Sequence, residues 1–163
     1  MALTPEQRTT ILATVQADQT AEGLRIGGNV PALIAWLNTT ASPEFLVWRT
    51  RVTQDEIMQN GFDWMQVDNL SVGKARIWEW LFDNAASSIN PNKANVRAGI
   101  DECWKGTAAM LAVRAAVYSH CRRAVSRGER VFATGPGTAA DPGTAVFDGR
   151  CDEGDAQWLI QQG

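Results

Sequence analysis

Apolar residues recur at helical spacing along most of the chain. Thr4-Pro5-Glu6-Gln7 marks a helix start: Thr4 can cap, Pro5 suits the first turn, and Gln7 closes a capping box ahead of Ile11, Leu12 and Val15. After Gly23, Gly27 and Gly28, the segment Asn29-Val30-Pro31 restarts a short helix carrying Leu33, Ile34, Trp36 and Leu37, and Ser42-Pro43 closes it. Residues 45–52 are β-branched and aromatic, which predicts an extended segment. Thr53-Gln54-Asp55-Glu56 is a second capping box, with Asn60-Gly61 as its left-handed stop. Residues 62–70 continue as helix or turn. Ser71 then caps a helix over 72–84 carrying Ile77, Trp78, Leu81 and Phe82.

Asn90-Pro91 repeats the cap-plus-proline start and predicts a helix to about residue 106, with Val96, Ile100, Cys103 and Trp104 on one side. The longest helical pattern covers 107–127. Met110, Val113, Val117, Cys121 and Ala124 form its stripe, and Gly128 stops it. Residues 130–134 and 144–148 are short apolar runs around a Gly/Pro loop, a hairpin or extended arm. Residues 152–162 form a short terminal helix with Trp158, Leu159 and Ile160 as its apolar patch. The predicted fold is mainly α: a compact helical body of about five to six helices over 1–128, followed by a C-terminal hairpin or arm over 129–163. That arm is expected to be mobile alone and ordered by docking.

Composition narrows the class. The chain has 163 residues, 45% hydrophobic and 20% charged, which excludes a disordered chain, a collagen-like fibre and a disulfide scaffold. The net charge of −3 does not recommend a nucleic-acid binder. The first residues carry neither a basic n-region nor an apolar h-region, and no apolar run approaches a membrane span. Cys103, Cys121 and Cys151 are three in number with no Cys-x-x-Cys spacing, which predicts reduced, packed thiols. Tryptophan is over-represented: there are seven, against one Tyr and one His. Because Trp serves both cores and interfaces, a second buried surface is expected. Arg114, Arg122, Arg123, Arg127 and Arg130 make the end of the long helix basic, whereas Asp141, Asp148, Asp152, Glu153 and Asp155 make the arm acidic. Opposite charges on neighbouring segments suit self-docking or head-to-tail association of copies.

Catalytic vocabulary is thin. Val72-Gly73-Lys74 echoes the end of a phosphate-binding loop, but Asp68 stands where the earlier glycine is required. His120 and Cys121 are adjacent on a predicted helix and do not face one another. Asp55-Glu56 and Asp101-Glu102 read as solvated faces or first-turn charges. No catalytic, cofactor-binding or metal-ligating residue is assigned, and a non-enzymatic protein without cofactor is expected.

From Phe45 to Gly149 several words of the sequence are specific. Val47-Trp48-Arg49-Thr50, Gly61-Phe62-Asp63-Trp64, the run from Val67 to Trp80, Ile89-Asn90-Pro91-Asn92-Lys93-Ala94-Asn95-Val96-Arg97, Phe132-Ala133-Thr134-Gly135 and Pro142-Gly143-Thr144 follow in that order. Together they resemble a family of small virion-morphogenesis proteins encoded among the head and tail genes of tailed bacteriophages. The resemblance spans about two-thirds of the chain. It implies a structural component of the virion, made in the host cytoplasm, with no catalytic residues to carry over. Size and helical content place it at the neck, as a ring-forming head–tail connector or adaptor joining portal to tail. Its partners would be further copies of itself in a cyclic homo-oligomer of about twelve, the portal, and tail or neck proteins. No membrane is implied, and DNA would enter only as cargo through a channel. A tail-terminator ring and a capsid decoration protein are alternatives within the particle. A helical DNA-binding regulator, using Arg114 to Arg130, is the alternative outside it.

The expected interface residues are Trp48, Trp78 and Trp80 in the body, Arg122, Arg123 and Arg127 at the helix end, and Phe132 and Phe147 in the arm. Trp78 and Trp80 lie about 200° apart on a helix, so at least one should meet something outside the local core.

Overall fold

Side-chain caps set most helix starts in the computed structural model of the chain, which describes residues 3–59, 61–84, 86–146 and 149–162. Thr4 and Gln7 close the capping box of α1 (Pro5–Ala17). Asp18 caps α2 (Gln19–Ile26), and Asn29 caps α3 (Val30–Asn38). Strands β1 (Leu46–Trp48) and β2 (Val52–Thr53) follow, and the Thr53–Glu56 box opens α4 (Gln54–Ile57). A single 3-10 turn, Trp64–Gln66, precedes α5 (Val72–Phe82), which Ser71 caps. Next come β3 (Ser88–Ile89), α6 (Ala94–Cys103), and α7 (Ala108–His120) with Thr107 as cap. The remainder is β4 (Arg122–Ala124), α8 (Arg127–Arg130), β5 (Ala133–Thr134), β6 (Thr144–Ala145) and α9 (Glu153–Gln161). The protein is mainly α, 54% helical, with nine α-helices and only short strands among the described residues. The strands form antiparallel pairs: β2 with β3 (Val52↔Ile89) and β5 with β6 (Ala133↔Ala145). β1 is the neighbour of β4.

Two helices differ from expectation. The pattern over 107–127 is not one helix. Chain direction changes after His120: Cys121 takes the C-cap, its carbonyl accepts from the Arg49 N–H at 2.8 Å, and the next three residues are strand. Ser126 and Glu129 then form a capping box of their own and start α8. Arg122 and Arg123 therefore lie on a strand, and only Arg127 and Arg130 share a helix. The helix expected from Asn90 begins instead at Ala94. The Asn90 carboxamide accepts from the Asn92 N–H at 3.1 Å and the Asn90 carbonyl accepts from Lys93, so this asparagine caps a turn around Pro91.

The chain divides into two units, one of residues 1–46 plus 124–163 and one of residues 47–123. The expected boundary between 128 and 129 is not where the contacts part, because a unit built from both chain ends cannot be seen in local periodicity. In the continuous unit, Val52, Ile57, Phe62, Trp78, Phe82, Ile89, Ile100, Trp104, Val113 and Val117 form one core. Its helix stripe is the one the sequence announced on α7 as far as Cys121, the buried C-cap.

In the discontinuous unit, α1, α2 and α3 pack with α9, and Ile11, Val15, Leu33, Leu37, Ala156 and Leu159 form the core. Val131 and Phe132 pack against it, half-buried. The expected free arm is thus part of a core; the expected hairpin is present as β5 and β6. Its Gly/Pro loop is small for a reason. A Cβ at Gly137 or Gly143 would overlap the buried Phe45 ring, and Gly137 has φ +70. The flanking backbone closes on the same residue's neighbour, with Leu46 N–H donating to Gly137 at 2.7 Å and Gly143 N–H donating to Leu46 at 2.8 Å.

Asp155 is the most deeply buried of three buried charged residues in this unit, with Arg25 and Glu129, and is fully shielded from solvent. One oxygen accepts from the Leu3 N–H at 3.2 Å and from Arg8 Nε and Nη2 at 3.1 and 3.0 Å; the other accepts from the Asp152 N–H at 3.2 Å. Asp155→Ala removes acceptors from four donors and leaves the Arg8 guanidinium unpaired. It should lower the free energy of unfolding by about 3 kcal/mol, at the lower end for a broken buried pair because Arg8 is partly solvated. Chemical denaturation of the full chain measures this. A loss below about 0.5 kcal/mol would mean the pair behaves as a surface ion pair.

Candidate interaction surfaces

The aromatic residues of the continuous unit fall into an inner and an outer set. Trp78 and Trp104 are buried with ring centroids 5.2 Å apart, edge to face. Phe62 stacks on Trp78 at 6.1 Å and meets Trp104 edge-on at 5.6 Å, while Phe82 closes on Trp78 at 5.0 Å. The indole N–H groups of Trp78 and Trp104 are buried with no acceptor among the described residues, a cost that the surrounding apolar contacts must exceed. Trp78, expected at an interface, is therefore a core residue of its own unit. Trp80, two positions along α5, points the other way and is 64% exposed.

Trp48 is half-buried and locked. Its ring meets Tyr118 edge-on at 5.2 Å, with the Arg97 guanidinium 5.0 Å from its centroid. The Tyr118 hydroxyl lies 2.9 Å from Asp101 Oδ1, and burial pushes its pKa well above the usual tyrosine value, with the Asp101 bond adding to the shift. Arg97 in turn donates to the Pro91 and Asn92 carbonyls at 2.7 and 3.1 Å. These contacts are internal to the unit, so Trp48 offers only part of its ring outward.

The outer apolar set comprises Trp64 at 57% exposed, Met65 at 76%, Val72 at 79% and Trp80 at 64%. Trp64 is held on the 3-10 turn by an edge contact to Phe62, ring centroids 5.0 Å apart. Trp80 lines a shallow cavity of about 410 Å³ with Gln54, Glu79, Phe82 and Asp83. Sequence reasoning missed Trp64, Met65 and Val72. The available signal was that each stands at a turn or helix start, off any buried stripe.

In the discontinuous unit, Arg127 and Arg130 line an open cavity of about 510 Å³ together with Thr14, Asp18, Trp36, Ala41, Ser42 and Val131. The Arg127 guanidinium lies 4.8 Å from the Trp36 ring centroid, and that of Arg130 lies 3.9 Å from Phe45. Arg130 also donates to the Ala133 carbonyl at 3.4 Å. Neither guanidinium is paired with a carboxylate among the described residues. Oδ1 of the Asp18 carboxylate in the same cavity accepts from the Thr20 and Ala21 N–H groups as the α2 cap, so the cavity holds one carboxylate beside its two guanidinium groups.

The structure thus separates the expected interface residues. Trp80 and Arg127 face cavities, Trp48 and Phe132 are half-buried, and Trp78 is in a core. Arg122 and Arg123 are half-buried on β4, and Phe147 lies outside the described residues.

Burial holds the three thiols protonated: it raises Cys103 to about 11, and Cys121 and Cys151 to about 12. Among the described residues no group of three or more His, Cys, Asp or Glu is placed to hold a metal ion. No helix of the described residues is long and apolar enough to cross a membrane. No family model, curated protein or solved structure matches the chain.

Glu56 is the carboxylate whose environment is most altered. The Thr53 backbone N–H at 2.8 Å, followed by the Arg49 guanidinium at 2.7 Å, draws its pKa from an ordinary 4.5 down to about 2. The folded protein therefore resists protonating Glu56 more than the unfolded chain does. The stability it contributes is fully present above pH 4.5 and is lost as pH falls through about 2. The stability gap between the wild type and Glu56→Gln, measured by denaturation at several pH values, should be constant above about pH 5 and close between pH 4.5 and pH 2. A gap independent of pH would show that the Arg49 and Thr53 contacts do not favour the charged form.

Proposed function

We propose that this chain is a non-enzymatic structural component of a tailed-phage virion, a ring-forming head–tail connector joining portal to tail. The observation that carries the reading is that Trp64, Met65, Val72 and Trp80 of the 47–123 unit are each more than half exposed. Two of the four are tryptophan, a residue enriched among the anchors of protein–protein contacts. The words that resemble tailed-phage virion proteins include Trp64, Val72 and Trp80. A cyclic ring needs two different complementary faces on each copy, and the chain has an exposed aromatic surface and a separate arginine-lined cavity.

The break of the 107–127 pattern at His120 counts against the DNA-binding regulator. The basic residues from Arg114 to Arg130 are divided among α7, β4 and α8 and do not form one recognition helix.

Locating the chain in intact particles by electron microscopy tests the reading, alongside complementation of a phage lacking its gene. Trp80→Ser should melt like the wild type, because its side chain is not in a core, and Trp64→Ser slightly below it, because its ring meets Phe62. Each should weaken assembly by about 2 kcal/mol, roughly 30-fold in affinity, and reduce the yield of joined particles. Absence of the chain from purified particles, or full complementation by the doubly substituted protein, would overturn the proposal.

A further inference from the structure

We infer that the cavity lined by Arg127 and Arg130 on one copy receives the Glu79–Trp80–Asp83 surface of the next copy. The inference rests on the assembly reading above and names the two faces that would meet. Each face is unbalanced in a way the other corrects. At the end of α5, Glu79 and Asp83 stand one turn apart, and the last turn contains no basic residue. Negative charge at a helix C-terminus adds to the partial negative charge of the unpaired carbonyls, so this end of α5 attracts a cation. Neither carboxylate has a hydrogen-bond or ion-pair partner among the described residues, and Arg76, one turn before Glu79, makes no ion pair with it. Between them stands Trp80, 64% exposed, whose ring face is itself a cation acceptor.

The discontinuous unit presents the converse. Arg127 and Arg130 are also one turn apart, on α8, and both line the cavity of about 510 Å³. Arg127 sits by the Trp36 ring and Arg130 by the Phe45 ring, and Arg130 gives one N–H to the Ala133 carbonyl, which leaves its other N–H groups and those of Arg127 to meet carboxylates. Their spacing of one helical turn matches that of the two carboxylates. The cavity walls add the Trp36 ring and the Ala41 and Val131 side chains, an apolar lining for an inserted indole. The two faces are different patches on one chain, so their pairing is heterologous and propagates from copy to copy.

Charge exchange tests this on the full chain. R127E/R130E and E79R/D83R are each purified, checked by melting, and run in sedimentation velocity across a concentration series reaching about 1 mM. The wild type should associate, with an affinity that falls as salt is raised. Each charge-reversed variant alone should lose about 100-fold or more in affinity. An equimolar mixture of the two should regain association, because every junction again joins arginines to carboxylates. Should R127E/R130E fail to fold, R127Q/R130Q and E79Q/D83N should weaken association in the same direction without rescue on mixing.

A wild type that stays monomeric throughout, folded variants that associate like it, or a mixture that stays dissociated would each overturn the inference. Failure here with the chain found in particles would leave the connector reading standing. Rescue on mixing with the chain absent from particles would overturn that reading and keep the pairing.

Discussion

The discontinuous unit closes around a fully buried carboxylate, Asp155. Its two pieces are separated by 77 residues of chain, so no local helix propensity can bring them together. Asp155 does so chemically. It accepts from the first described residue, Leu3, from Arg8 on α1, and from its own helix cap at Asp152. A carboxylate without solvent is expensive unless it is hydrogen-bonded and a cation stands close, and here both oxygens accept hydrogen bonds and Arg8 supplies the cation. The hydrophobic contacts of α9 with α1, α2 and α3 supply most of the stabilisation. The ion pair supplies selectivity, because any register that misplaces α9 leaves Asp155 buried and unpaired.

The continuous unit solves its polar problem differently. Three of its ion pairs are local, Arg49 to Glu56, Arg114 to Asp101 and Lys105 to Glu102, and Arg97 meets Trp48 and two carbonyls. Its interior is almost wholly aromatic and aliphatic. Among the described residues Glu79 and Asp83 on one unit, and Arg127 and Arg130 on the other, make no ion pair.

What could be read from the sequence was whatever is decided within about one helical turn. The boxes at Thr4–Gln7 and Thr53–Glu56 and the caps at Asn29, Ser71 and Thr107 all stand where the residue types demand. The core stripe of α7 was legible to Cys121, the buried C-cap. It then misled, because Ala124 continues the helical interval by position while the backbone has already turned into strand. The contrary signal was local and was missed: Ser126 and Glu129 form a Ser-x-x-Glu box across the end of the supposed helix. The division into units could not be read at all. Nothing near Leu159 indicates that it will pack with Ile11 and Leu33, since that contact is decided by closure of the chain and not by periodicity. The same holds for the cavity residues. Arg127 stood out as part of a basic cluster, but its separation from Arg122 and Arg123, and its seat on Trp36, follow from tertiary structure.

The tryptophans show how one residue type serves two purposes under one constraint. Trp78 and Trp80 are two positions apart on α5, so a helix that buries one must turn the other outward. Burying Trp78 in the Phe62–Phe82–Trp104 cluster is therefore what exposes Trp80, and the exposure is enforced by helix geometry. An outward indole adds little to folding and invites nonspecific association. In the pairing proposed above, the carboxylates on either side of Trp80 would oppose that, because they favour a partner that brings cations. The exposed ring would then be made selective by the charges placed one turn apart around it.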